Sequence, residues 1–264
     1  MNAPFIPGET VLPASAAERM VVEARGLTGF LDGAVGDPLP GWHACDRDNR
    51  EVLQALHGAL ALEYPQAGQP LWAVRMWTNL VWQPVYLAVI AVHFSAVLPP
   101  ISRMSQRREG SGINGYRIAG EPVGDLPLET MIDRAGAELR AMADGVLAEI
   151  NTITKLKRVP AIRLLTDRML GLMTLLQRQS PDLAPSTIRG FSDRWLAAMG
   201  LTGQGDLESL FLPDGREVLI IARKGCCLDY LIEPDVYCAS CPKQPNRLRR
   251  ERQRANALEI YGIE

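Results

Sequence analysis

From Met76 to Ser102 the chain carries no formally charged side chain, with Arg75 before the run and Arg103, Arg107 and Arg108 after it. A run of this kind either crosses a membrane, which takes about 20 predominantly apolar residues, or forms a helix at the centre of a protein. Asn79, Gln83 and Pro84 interrupt its first half, His93 and Ser95 lie in its second, and Pro99-Pro100 ends it. The run therefore reads as a buried core helix, continuous from Val85 to Leu98. A core helix needs amphipathic helices to cover it, and the chain supplies them. Apolar residues recur in steps of three and four at Leu128, Met131, Ile132, Ala135, Leu139, Met142, Val146 and Ile150, the spacing of one helix face. Ile162, Leu165, Met169, Leu172 and Leu176 repeat the pattern after Pro160.

Shorter elements follow from end signals. Ser15-Ala-Ala-Glu18 has the capping-box form, in which each side chain satisfies the other residue's backbone N–H, and predicts a helix to about Leu31. A second helix is expected after Asp46 or Asp48, reaching Leu62 with Leu53, Leu56 and Leu60 on one face. Pro65 to Pro70 reads as a break. Pro185-Ser186 opens another helix, anchored by Ile188, Phe191 and Trp195. Tyr116 to Pro122 looks extended and predicts a short hairpin, and Val218 to Ile221, after the Pro213-Asp214-Gly215 turn, reads as a strand. The expected fold class is mainly α with a small β component (α+β). Its expected parts are a mostly helical domain over 1–215, a cysteine-rich segment over 216–246 packed on it, and a basic helix over 247–264.

Of 264 residues, 47% are hydrophobic and 22% charged, with a net charge of −2. That excludes a disordered chain and gives no global field for nucleic acid, so no nucleic-acid partner is expected. The segment from Met1 to Glu9 has neither a basic stretch nor an apolar core, which argues against a signal peptide. Five cysteines are too few and odd in number for a disulfide scaffold. The expected location is cytoplasmic, with peripheral contact to the inner membrane as the second reading of the apolar run.

Three motifs have bland explanations. Gly110-Ser-Gly112-Ile-Asn-Gly115 fits GxGxxG, but no strand precedes it and no helical period follows, so a turn explains it better than a dinucleotide site. His43, His57 and His93 are scattered. His43 and Cys45 are close enough to raise a Cys–His nucleophilic pair or a metal site, yet a surface loop accounts for both. Arg247, Arg249, Arg250, Arg252 and Arg254 lack interleaved aromatics and read as a solvated helix face, with docking to an acidic redox partner or to anionic lipid as the second reading.

The strong signal is Cys226-Cys227 followed by Cys238-Ala-Ser-Cys241-Pro242, a C-C-x10-C-x2-C array. Adjacent cysteines reach disulfide geometry only with strain. Structural zinc remains open, since four-cysteine sites are common. The diverging side chains of a vicinal pair are easier to place around a two-iron cluster, which is wider and accepts four thiolates on two metals.

This array, with Arg223-Lys224 before it and Leu228-Asp-Tyr230 after it, resembles the FhuF-like ferric siderophore reductases. Met76-Trp77-Thr-Asn-Leu-Val-Trp82-Gln83-Pro84-Val-Tyr86 is similar to a Trp-Gln-Pro segment in a branch of the same family. The resemblance implies that Cys226, Cys227, Cys238 and Cys241 ligate a [2Fe–2S] cluster. It further implies that the substrate is an iron(III)–siderophore complex in the cytoplasm, and that a ferredoxin or a flavin reductase supplies the electron. No residue is expected to act as a catalytic acid or base, because one electron suffices: hard-oxygen chelators hold iron(II) far more weakly than iron(III). Arg223 and Lys224 are expected to attract an anionic siderophore or to raise the cluster potential. Two further readings stay open: a zinc-stabilised siderophore-binding protein without enzymatic activity, and an iron–sulfur redox sensor.

Overall fold

The computed structural model describes residues 15–263; the expectation about the first residues of the chain lies outside them. Among the described residues the chain forms seven α-helices, a four-stranded sheet and a two-stranded sheet, an α+β fold.

Helix α1 (Ala16–Thr28) opens on the expected capping box, with Ser15 and Glu18 each accepting the other's backbone N–H. It ends three residues earlier than the sequence predicts. Gly29 adopts φ 73°, a left-handed stop open to glycine at no steric cost, and Gly33–Val35 becomes strand β1 instead of a helix end. Strand β2 (His43–Ala44) and α2 (Arg50–Glu63) follow, with Leu53, Leu56 and Leu60 buried as expected.

Helix α3 (Gly68–His93) is the centre of the molecule, mostly buried, with a half-buried face along Trp72, Arg75, Asn79, Trp82 and Tyr86. No helix among the described residues is long and apolar enough to cross a membrane. Pro70 sits in the first turn, where its missing N–H costs nothing, so the predicted break is shorter than Pro65 to Pro70. Pro84 does not interrupt the helix either. It removes the donor that the Leu80 carbonyl would take four residues back, and Gln106 Nε2 replaces it at 2.9 Å. Gln83 Nε2 in turn donates to Gln106 Oε1 at 3.1 Å.

Gln106 belongs to β3 (Met104–Glu109), which pairs antiparallel with β4 (Gly112–Ile118). The sheet order is β1-β4-β3-β2, with β1 parallel to β4. The hairpin therefore lies about ten residues before its predicted place. The GxGxxG segment forms its turn and second strand, with no helix after it, as the turn reading requires.

Helices α4 (Leu128–Ile153), α5 (Arg158–Gln179) and α6 (Pro185–Ala198) pack on α3 and on one another, burying the predicted faces, Trp195 included. Strands β5 (Asp206–Phe211) and β6 (Glu217–Ala222) form a hairpin around Pro213-Asp214-Gly215. Sequence periodicity reveals only the second of them. Leu210, Leu212, Val218 and Ile220 make a small satellite core with Ala257 of α7 (Asn246–Ile260).

Candidate metal centre

The cysteines lie on the connection between β6 and α7, which is seated on α5 by one carboxylate. Asp167 Oδ2 accepts from Arg223 Nε at 3.1 Å and from the Gly225 N–H at 3.0 Å, while Oδ1 accepts from the Lys224 N–H at 3.4 Å. Gly225 lies so close to α5 that a Cβ there would fall 2.8 Å from Asp167 Oδ2 and 2.9 Å from the Leu164 nitrogen. Only glycine lets the chain approach this closely. Burial raises the Asp167 carboxyl above the usual carboxylate range against the pull of Arg223. Burial also opposes the charge on Arg223, but Asp167 and the Cys238 and Cys227 sulfurs hold it charged.

Cys226 and Cys227 follow at once, and the chain then reverses at Leu228, a non-glycine residue held at φ 64°. Strain of this kind collects at functional sites. The reversal brings the Leu228 N–H to the Cys226 sulfur and the Asp229 N–H to the Cys227 sulfur. A turn closed by Cys241 N–H to the Cys238 carbonyl, 3.0 Å, supplies the other two thiols. Gln244 Nε2 donates to the same carbonyl at 2.7 Å, and Arg252 of α7 donates to the Tyr237 carbonyl at 3.2 Å.

The four thiols meet as two nested pairs, Cys226 with Cys241 and Cys227 with Cys238. The Cys238 hydrogen bond is the main cause that draws Cys227 down to about 6; the Asp229 N–H and Arg223 add to it. Cys238, as donor, is pushed far up, and burial raises Cys226. Arg223 Nη1 lies 3.6 Å from the Cys238 sulfur. Among the described residues no three histidine, cysteine or acidic side chains converge on a point that suits one metal ion. The four thiols are the donor set that a two-iron cluster would need.

Beside Cys227 and Cys238 opens a cleft of about 350 Å³ whose cations are Arg75, Arg168 and Arg223. Arg168 lies over the Tyr86 ring, 6.0 Å from its centroid. Arg75 Nη2 is 2.8 Å from Asp229 Oδ1, an ion pair whose atoms are not aligned as a hydrogen bond. Sequence reasoning missed Asp167, Gln244, Arg75 and Arg168. The one available signal was Asp167, a lone acid among the apolar residues of α5.

The other candidate residues stay apart from the centre. His43 Nε2 binds Glu149 at 2.8 Å, and His93 Nε2 accepts from Trp195 Nε1 at 3.0 Å. Cys45 shares a small cavity with His43, Glu138 and Glu149. Burial and those carboxylates push its thiol up to about 11, the opposite of an activated nucleophile. The arginines of α7 bind within the molecule, Arg249 and Arg250 to Glu208 and Arg254 to the Phe211 carbonyl. Helix α7 thus holds the β5–β6 hairpin, while Arg247, Arg250, Arg252 and Arg254 stay exposed, as the solvated-face reading expects.

No solved structure matches the chain. Residues 223–243, which run from the Asp167-bound arginine through all four cysteines, match the family model described as the FhuF 2Fe-2S C-terminal domain, so the similarity covers this connection.

Proposed function

We propose that the chain is a cytoplasmic ferric siderophore reductase in which Cys226, Cys227, Cys238 and Cys241 hold a [2Fe–2S] cluster. When bound, the cluster supplies single electrons. The observation that carries this reading is the gathering of four cysteines on one connection, in the segment similar to the FhuF 2Fe-2S C-terminal domain, beside an arginine-lined cleft. Three arginines against Asp167 and Asp229 leave the cleft net positive, and Arg168, the arginine there outside an ion pair among the described residues, attracts the negative oxygen donors of the chelate and holds it against the Cys227–Cys238 side. Each turnover moves one electron to the chelated iron(III), which becomes iron(II) and leaves its hard-oxygen ligands. A one-electron reduction of this kind needs no proton transfer by the protein.

The chain's own groups tune the centre. N–H donors from Leu228 and Asp229 and the Arg223 guanidinium stabilise negative charge on sulfur, which raises a reduction potential. The test is anaerobic purification with iron and acid-labile sulfide counts, electron paramagnetic resonance after dithionite, and trapping of iron(II) released from a ferric siderophore. A paramagnetic reduced protein with equal iron and sulfide that releases iron(II) is expected. A zinc protein without sulfide overturns the reading.

A further inference from the structure

The cysteine connection has a second open side. Lys224, Gly225, Cys226 and Leu228 wall a cleft of about 500 Å³ that shares no lining residue with the arginine cleft at Cys227 and Cys238. Its facing wall is the α4–α5 junction and its base is the start of α3. Four cations line it, Lys155, Lys157, Arg163 and Lys224, and no carboxylate does. Lys155 and Lys157 are exposed, and neither lies within ion-pair distance of a described carboxylate. Arg163 Nε is buried without a hydrogen-bond partner. Lys224 Nζ donates only to the Gly203 carbonyl, at 2.8 Å, so its charge is uncompensated. The arginine cleft differs: there Asp167 and Asp229 offset Arg223 and Arg75.

Between the cations the surface is apolar, formed by Pro70, Val74, Leu156 and Leu228. An apolar centre with a rim of one charge sign is the make-up of a transient protein interface steered by electrostatics. On a chain with a net charge of −2 this local excess of positive charge is a property of the site. The cleft also ends on a cysteine, Cys226, that the arginine cleft does not reach. A chelate seated against Cys227 and Cys238 would therefore leave it open.

We infer that the Cys226 cleft is the docking site of the electron donor, a small redox protein whose cofactor edge is ringed by carboxylates. The inference rests on the reductase reading. The balance is one electron: the reduced donor is oxidised by one, one chelated iron(III) becomes iron(II), and no bond or proton is exchanged between the proteins.

The test uses the full chain and an acidic plant-type [2Fe–2S] ferredoxin as probe, with binding measured by calorimetry. Binding at low salt is expected, weakening at least tenfold as salt rises from about 0.05 to 0.5 M. The Lys155→Glu/Lys157→Glu variant should bind the ferredoxin at least about tenfold more weakly with an unchanged melting temperature. Arg168→Glu, in the other cleft, should bind it as the parent protein does. Parental affinity in the double variant overturns the inference. So does loss of ferredoxin binding in Arg168→Glu, or binding of the parent chain to phosphatidylglycerol vesicles but not to ferredoxin. Failure of the reductase reading shows separately, as a parent protein that binds ferredoxin yet releases no iron(II) with dithionite.

Discussion

Helix α3 and the cysteine connection are held in place by different means. Helix α3 buries sixteen of its 26 residues among α2, α4, α5 and the hairpin β3–β4. Between Arg223 and Pro245 only Gly225, Cys241 and Gln244 are buried, and the conformation hangs on Asp167, Gln244 and the turn at Leu228. Burial is spread over many contacts, so each can be lost at moderate cost. A loop held by a few hydrogen bonds loses its geometry at once. The core is therefore expected to tolerate change with graded losses of stability, and the centre to fail abruptly while the fold persists.

The largest effect expected is at the thiols. Cys226→Ser or Cys241→Ser should abolish the visible absorption of the cluster and the release of iron(II), while the far-ultraviolet circular dichroism stays that of the parent, since the seven helices need no cysteine. Next comes Asp167→Ala, which strands Arg223 without its carboxylate and leaves the Gly225 and Lys224 N–H groups without their acceptor. Breaking one half of a buried pair costs about 3–5 kcal/mol, measured by urea unfolding, and iron content should fall with it. Loss of stability with full iron content would show that the loop is held by something other than Asp167.

The same division decides what could be read from sequence. The faces of α4 and α5 were legible because burial imposes a period, and α1 because its cap is a local pairing of Ser15 with Glu18. The four cysteines were legible because ligand spacing is local too. Asp167 stands 56 residues from Arg223, and Arg75 comes from α3 while Arg168 is beside Asp167 on α5, so their meeting with the cysteine connection is a product of tertiary packing that no window of sequence contains. Pro84 misled for the same reason: its substitute donor is Gln106, on a strand. The β3–β4 hairpin was displaced because its polar, glycine-rich segment has no apolar alternation to mark it.

Within the core, His93 gives a pH dependence. Burial lowers its pKa from 6.5 to about 4, and as the acceptor of Trp195 Nε1 it must stay neutral in the fold. Above pH 6.5 neither state takes up the proton. Between about 6.5 and 4 the unfolded chain does and the folded chain does not, so stability falls as pH falls, by about 3 kcal/mol in all. Below pH 4 both states are protonated and this contribution is fully lost. Urea titrations across the window should show the slope, and His93→Phe should flatten it. A parent slope unchanged in that variant would assign the acid sensitivity elsewhere.

The smallest effect tests whether the core also depends on a single polar contact. Gln106→Ala removes the donor to the Leu80 carbonyl and the acceptor of Gln83, leaving buried polar groups unpaired at a cost of about 2 kcal/mol. Pro84→Ala restores the N–H that the helix lacks, so the Leu80 carbonyl then has a donor of its own. In the Pro84→Ala background, Gln106→Ala should therefore cost about 1 kcal/mol less, a coupling read from a double-mutant cycle in urea. Additive losses would mean that Gln106 does not stand in for the missing N–H. Coupling would show that even the most apolar helix of this protein is continuous because one strand side chain completes its hydrogen bonding.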